Sequence, residues 1–284
     1  MYTKFYGFKE PPFNLTPNPR FYYSSAKHME ALSTLIYAIS ERKGFVVVTG
    51  DIGSGKTTIC RTLLSKLNSK VKTALITNTR MSVKDLLMTI LEEFEVDFKP
   101  GSKSKLHSQL NAFLIDQLRR DNNVVLIIDE AQNLSAAVLE EVRMLSNLET
   151  ENDKLIQIVF MGQPELKKKL ALSKLEQLCQ RIAAFYHLTP FNKEDSKKYI
   201  QHRLNIASES ERKYFTDDSF DSIYEYSKGV PRLINQICDS ALLTGYINET
   251  QMIDKKIIDE VIEEAPMTVI GKSAKVRENV EAGV

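Results

Sequence analysis

The chain has no tryptophan, and its three cysteines, Cys60, Cys179 and Cys238, lie far apart with no paired metal-ligand spacing. An odd, scattered set excludes a disulfide framework and a zinc site, and is expected to be buried thiols of a reducing compartment. Charge of one sign is also missing. Lys plus Arg number 38 against 37 Asp plus Glu, a net charge of +1, so a wholly basic nucleic-acid surface is not expected. No run approaches the ~18 apolar residues of a membrane span, and Met1–Gly7 has no signal-peptide core. There is no internal repeat and no low-complexity tract. What remains is 284 residues, 43% hydrophobic and 26% charged, the composition of a soluble protein with a sizeable core. A cytoplasmic protein is the expectation.

Phe45-Val46-Val47-Val48-Thr49 is a short β-branched run that reads as a buried parallel strand. Gly50-Asp51-Ile52-Gly53-Ser54-Gly55-Lys56-Thr57 follows, and then Thr58-Ile59-Cys60-Arg61-Thr62-Leu63-Leu64 at helical spacing. Strand, glycine loop and helix are the setting a P-loop requires. The glycines let backbone N–H groups approach phosphate, and the helix start adds partial positive charge. Lys56 can reach the β- and γ-phosphates, and the Thr57 hydroxyl can ligate Mg²⁺. Residues 50–58 are therefore an expected ATP·Mg²⁺ site.

Residues 5–23 carry Pro11, Pro12, Pro17 and Pro19 among seven aromatics. They predict a non-helical arm, residues 1–25, packed on the nucleotide domain. Ser24-Ser25 caps a helix over about 26–42. Strands are predicted at 72–77, 124–128, 156–161 and 184–188, with helices between, one of them capped by Ser82. This alternation gives a parallel α/β domain over 26–190. From 191 to 265 only helical periodicity remains, near 193–208, 217–228, 231–247 and 254–264, a second, all-α domain. Residues 266–284 read as a flexible tail.

Val124–Ile128 runs into Asp129-Glu130-Ala131-Gln132. At the end of a strand beside a P-loop, Asp129 is placed to hold Mg²⁺ and Glu130 to polarise the attacking water. Gln163, at the tip of the fourth strand, can touch the γ-phosphate or its water, or cap the helix after Pro164. Arg181 is an ion-pair partner or a charge given to a neighbouring subunit's γ-phosphate. Arg232 opens a helix begun by Gly229-Val230-Pro231, where a cation opposes the helix dipole, so phosphate or a surface carboxylate should compensate it. Lys167-Lys168-Lys169 and Lys193/Lys197/Lys198 read as solvated faces or as contacts for nucleic acid or an acidic partner. His28, His107, His187 and His202 show no metal spacing and are given no chemistry.

Together the P-loop, the Asp-Glu pair, Gly162-Gln163-Pro164, Gln180-Arg181-Ile182 and Gly229-Val230-Pro231-Arg232 resemble an AAA+ ATPase. Phe5-Tyr6-Gly7-Phe8, Pro12-Phe13-Asn14-Leu15-Thr16-Pro17, Lys43–Val47 and Asn147-Leu148-Glu149-Thr150 are similar to the ExeA/GspA-type secretion ATPases and the MshM type of MSHA-pilus biogenesis. The likeness covers about residues 5–265. It implies a five-stranded P-loop sheet in the order 5-1-4-3-2 with a C-terminal all-α lid and ATP between them. It also implies Gln163 as sensor 1, Arg232 as sensor 2 and Arg181 as a trans finger. ExeA-type proteins continue into a membrane span and a peptidoglycan-binding region, and these 284 residues carry neither, which brings the expectation closer to the MshM type. The implied partners are further copies of the chain, as a ring or filament on ATP binding, and a protein of an envelope assembly machine. The implied location is cytoplasmic, peripheral at the inner membrane through that partner. The same branch includes TnsC/TniB-type transposition regulators, so ATP-dependent DNA binding is the alternative. A nucleotide-bound scaffold with negligible turnover is a third, disfavoured by intact Lys56, Asp129 and Glu130.

Overall fold

The computed structural model describes residues 1–151, 153–209 and 212–265, and the expected tail lies outside them. The described chain divides into two units, residues 16–191 and residues 1–15 with 192 onward.

The α/β unit is built on five parallel strands: β1 (Phe45–Gly50), β2 (Val71–Ile76), β3 (Asn123–Ile128), β4 (Gln157–Gly162) and β5 (Ile182–Leu188). Their order is β2-β3-β4-β1-β5, the expected arrangement read from the opposite edge. β1 and β4 are buried along their whole length, which explains their unbroken apolar runs. β5 is an edge strand of alternating exposure, and so its sequence signal is weaker. Side chains alternate between two cores, as the period of a strand requires. Val46, Val48, Val125, Ile127, Val159 and Met161 pack with Leu35 and Ile39 of helix Ala26–Ser40 and Ile59 and Leu63 of helix Lys56–Lys66. Phe45, Val47, Leu126, Ile128, Ile158 and Phe160 face helices Val83–Glu93, Lys103–Arg119 and Ala136–Leu145. Ser82 forms the capping box that starts the first of these, exchanging bonds with Asp85.

Register sets the site. Thr49 pairs with Gly162, Ile128 with Phe160, and Gly50 with Leu188. The carboxyl ends of β1, β3 and β4 therefore lie side by side, the edge at which open parallel sheets bind ligands.

In the other unit, helices Lys193–Ala207, Asp217–Ser227, Pro231–Ile247 and Lys255–Glu264 follow the predicted spans closely. Asn192 and Asp254 cap the first and last, and Pro231 occupies the first turn of the third. The arm departs from expectation. Residues 1–15 group with this helical unit, and only 16–25 belong to the α/β unit. Tyr2–Tyr6 is a short helix ending at Gly7, ahead of the first proline, and Pro19–Phe21 is a 3₁₀ turn. The physical reason lies in partners remote in sequence. Tyr6 and Phe8 bury their rings against Tyr214. The buried Arg203 guanidinium donates to the Pro12 carbonyl at 2.6 Å, the Asn14 carbonyl at 3.2 Å and the Tyr199 hydroxyl at 2.8 Å. A buried guanidinium needs such acceptors to offset its desolvation. All three cysteines are free thiols, with Cys60 and Cys238 buried and Cys179 half-buried. No described helix is long and apolar enough to cross a membrane.

Candidate functional site

The loop after β1 turns on Gly53 (φ +79°) and Gly55 (φ +100°), backbone states that exclude most side chains without strain. Gly55 caps helix Lys56–Lys66. Lys56 is buried, and its ammonium donates to the Gly50 carbonyl at 2.7 Å and the Asp51 carbonyl at 2.9 Å. Burial lowers its pKa, while Glu130, Asp129, Asp51 and Glu165 act to raise it. An ammonium carries three protons, so it can hold the loop and still address a phosphate. The Ser54 hydroxyl is fully buried and has no hydrogen-bond partner. An orphaned donor inside a glycine cradle at a helix start fits an anion.

Across the loop, the Thr57 hydroxyl donates to Asp129 Oδ2 at 3.4 Å, and Asp129 Oδ1 accepts the Glu130 backbone N–H at 2.9 Å. Burial pushes the Asp129 carboxyl above the usual aspartate range, and the neighbouring Glu130 charge adds to this. The Glu130 N–H, Lys56 and Thr57 oppose it. One hydroxyl and one carboxylate are a suitable donor pair for Mg²⁺, which keeps waters and phosphate oxygens as its other ligands.

Glu130 sits at φ +51°, a left-handed backbone that is rare for a residue with a Cβ. The chain turns sharply there, and the Thr79 hydroxyl donates to its carbonyl at 3.3 Å. Two amides meet its carboxylate. Gln132 Nε2 donates to Glu130 Oε2 at 2.5 Å and Gln163 Nε2 to the same oxygen at 3.2 Å. Gln132 Oε1 accepts the Gln163 backbone N–H at 3.0 Å, tying the ends of β3 and β4 together. A Cβ on Gly162 would come within 2.8 Å of Gln132 Oε1, so this position favours glycine. Lys169 donates to the carbonyls of Gln132 (2.8 Å) and Leu134. One lysine of the triplet thus braces the turn, while Lys167 and Lys168 are exposed.

Thr57, Asp129, Glu130 and Gln163 are thus joined by hydrogen bonds around the loop of residues 50–58. Arg181 is not among them. It precedes Ile182, which pairs with Phe45, whereas the loop begins after Gly50. Six strand residues put it about 20 Å away, at the amino edge of the sheet. There it donates to the Ser146 carbonyl at 3.5 Å. Lys154 holds the nearby Glu149 carboxyl below its usual range, and Arg181 adds to that. Arg232 is exposed in the first turn of helix Pro231–Ile247, in the helical unit. Sequence reasoning missed His28, Gln132, Thr79 and Lys169. Gln132 alone carried a signal, an amide two residues after a catalytic-type carboxylate. The others reach the site only through tertiary contacts.

Residues 39–170 match the AAA domain family. General secretion pathway protein A of Aeromonas hydrophila is 41% identical over 254 residues, 89% of this chain and 46% of that protein. The chain thus spans about half the length of this relative. Among solved structures, the Aeropyrum pernix ORC2 protein in its ADPNP–ADP complexes is similar at a TM-score of 0.70 and 15% identity, over 90% of this chain and 72% of that one. Cdc6p from Pyrobaculum aerophilum gives 0.70 at 17%, over 91% and 71%. The Thermotoga maritima RuvB Holliday junction branch migration motor gives 0.59 at 17%, over 84% and 69%. At these identities the likeness is one of fold.

Proposed function

We propose that this chain, an AAA-family protein related to general secretion pathway protein A, binds and hydrolyses ATP, and that its nucleotide state controls self-assembly and partner binding. The observation that carries this reading is the convergence of the P-loop, Thr57–Asp129 and the amide-held Glu130 on the carboxyl edge of one sheet. Backbone N–H groups of residues 50–58 and Lys56 hold the phosphates. Thr57 and Asp129 would hold Mg²⁺, which would supply neutralising charge to the phosphates. Glu130 accepts the proton of a water that attacks the γ-phosphorus as the bond to ADP breaks, and Gln163 senses the γ-phosphate beside it. Arg232, exposed in the first turn of its helix, is a phosphate-binding side chain of the sensor-2 kind. Arg181, remote from its own loop, serves the nucleotide of the next copy in a ring or filament.

The relation to a secretion protein supports a role in assembling a secretion or pilus-like envelope machine. The chain would then be cytoplasmic, reaching the inner membrane through its partner. Fluorescent ATP titrations of the wild type and Lys56→Ala test the site. The variant is expected to lose binding while keeping its circular dichroism, and undiminished binding would remove the P-loop from the account. Submicromolar, salt-sensitive duplex DNA binding in ATP would move the biological role to transposition control. The net charge of +1 argues against that outcome.

A further inference from the structure

We propose that His28 is a positioning residue of the P-loop, one that fixes the Ser54–Gly55 peptide so that the Gly55 N–H faces bound phosphate. The proposal rests on the nucleotide reading above and adds a residue that the motif does not contain. His28 is 3% exposed, near the start of helix Ala26–Ser40. Its Nε2 lies 3.2 Å from the Ser54 carbonyl oxygen, and its Nδ1 lies 2.8 Å from Ser25 Oγ.

The chemistry of the partners settles the proton. A carbonyl oxygen only accepts, so Nε2 carries the hydrogen, and in neutral imidazole Nδ1 is then the acceptor. Ser25 Oγ therefore donates to Nδ1, while it accepts the His28 backbone N–H at 3.3 Å as the helix cap. Phe191 packs against the imidazole at 4.9 Å between centroids and Tyr22 at 6.4 Å, limiting rotation of the ring. A Cβ on Gly55 would stand 3.0 Å from Nε2, so the absence of a side chain there lets the histidine approach.

The consequence follows from amide geometry. In a trans peptide the C=O and N–H point in opposite directions, and no described peptide bond is cis. Anchoring the Ser54 oxygen on His28 therefore turns the Gly55 N–H to the opposite face of the loop. His28, Ser25 and Phe191 cover the near face, so phosphate approaches from the far one. Without the anchor the peptide can rotate and present an oxygen, in place of a donor, to an anion.

His28→Leu keeps an apolar side chain in the pocket without a donor, and His28→Gln keeps a donor of comparable reach. Calorimetric titration with ATP should show affinity about tenfold weaker in His28→Leu, the size of one hydrogen bond's net contribution. His28→Gln should stay within about threefold of the wild type, and both variants should keep the ligand-free circular dichroism of the wild type. Equal affinities for the two variants would overturn the proposal. Failure of the wild type itself to bind ATP would instead defeat the nucleotide reading. Ring ¹⁵N spectra of the wild type give a test that needs no variant. They should show a protonated Nε2 and a bare Nδ1, and the opposite tautomer would sink the anchor.

Discussion

Replacing Gln132 by leucine removes both ends of the link between β3 and β4 and leaves an apolar side chain one heavy atom shorter. The amide donates to the Glu130 carboxylate at 2.5 Å and accepts the Gln163 N–H at 3.0 Å. A hydrogen bond to a charged group contributes about 1.5–3 kcal/mol, and the half-exposed setting of Gln132 points to the lower end. About 1.4 kcal/mol is a factor of ten. With Oε2 held by both amides, Oε1 is left to face a water, so losing the stronger amide should lower kcat about tenfold while ATP affinity stays the same. The Gln163 N–H loses its acceptor as well, and each kcal/mol lost should reduce Tm by about 2–4 °C. Steady-state ATPase assays and thermal melting read both effects. Because Gln132 acts through Glu130, adding Gln132→Leu to Glu130→Gln should cost no further activity. An unchanged or raised kcat in Gln132→Leu, or full additivity in the double variant, would refute the positioning argument.

Asp129→Asn should melt higher than the ligand-free wild type near neutral pH and require more Mg²⁺ for ATP binding. Folding raises the Asp129 pKa, so its contribution to stability is present below the ordinary value of 3.8 and is lost as pH rises through the raised folded value. The gap between the two melting curves should therefore open with rising pH across that window and close below it; a gap independent of pH would contradict the assigned burial effect. Arg181→Ala should bind ATP normally yet lose about 10³-fold in turnover, the scale of an arginine finger. Mixing it with Glu130→Gln should restore part of the activity, because an Arg181→Ala subunit keeps Glu130 and can borrow arginine from its neighbour. No recovery in co-assembled mixtures would make Arg181 structural.

The sheet was legible because its inner strands are buried on both faces. Val46–Val48 and Val124–Ile128 have no polar alternation to confuse the reading. Ser82 marked a helix start through a local bond that spans three residues. The Tyr2–Tyr6 helix was hidden by its short length and by aromatic partners such as Tyr214 and Tyr246, more than 200 residues away. At the site, the glycine spacing and the Asp-Glu pair revealed the loop and the carboxylates. The left-handed turn at Glu130, the Lys169 brace and the His28 contact arise only when separate segments meet, so no periodicity or spacing announces them.

Glu130 is proposed to act as the base in ATP hydrolysis at this site. The most direct measurement is single-turnover hydrolysis by the wild type and Glu130→Gln, with ATP affinity determined on the same samples. A base at Glu130 predicts equal affinity and a hydrolysis rate lower by about 10²-fold or more in the variant. Turnover near the wild-type rate in Glu130→Gln would contradict it.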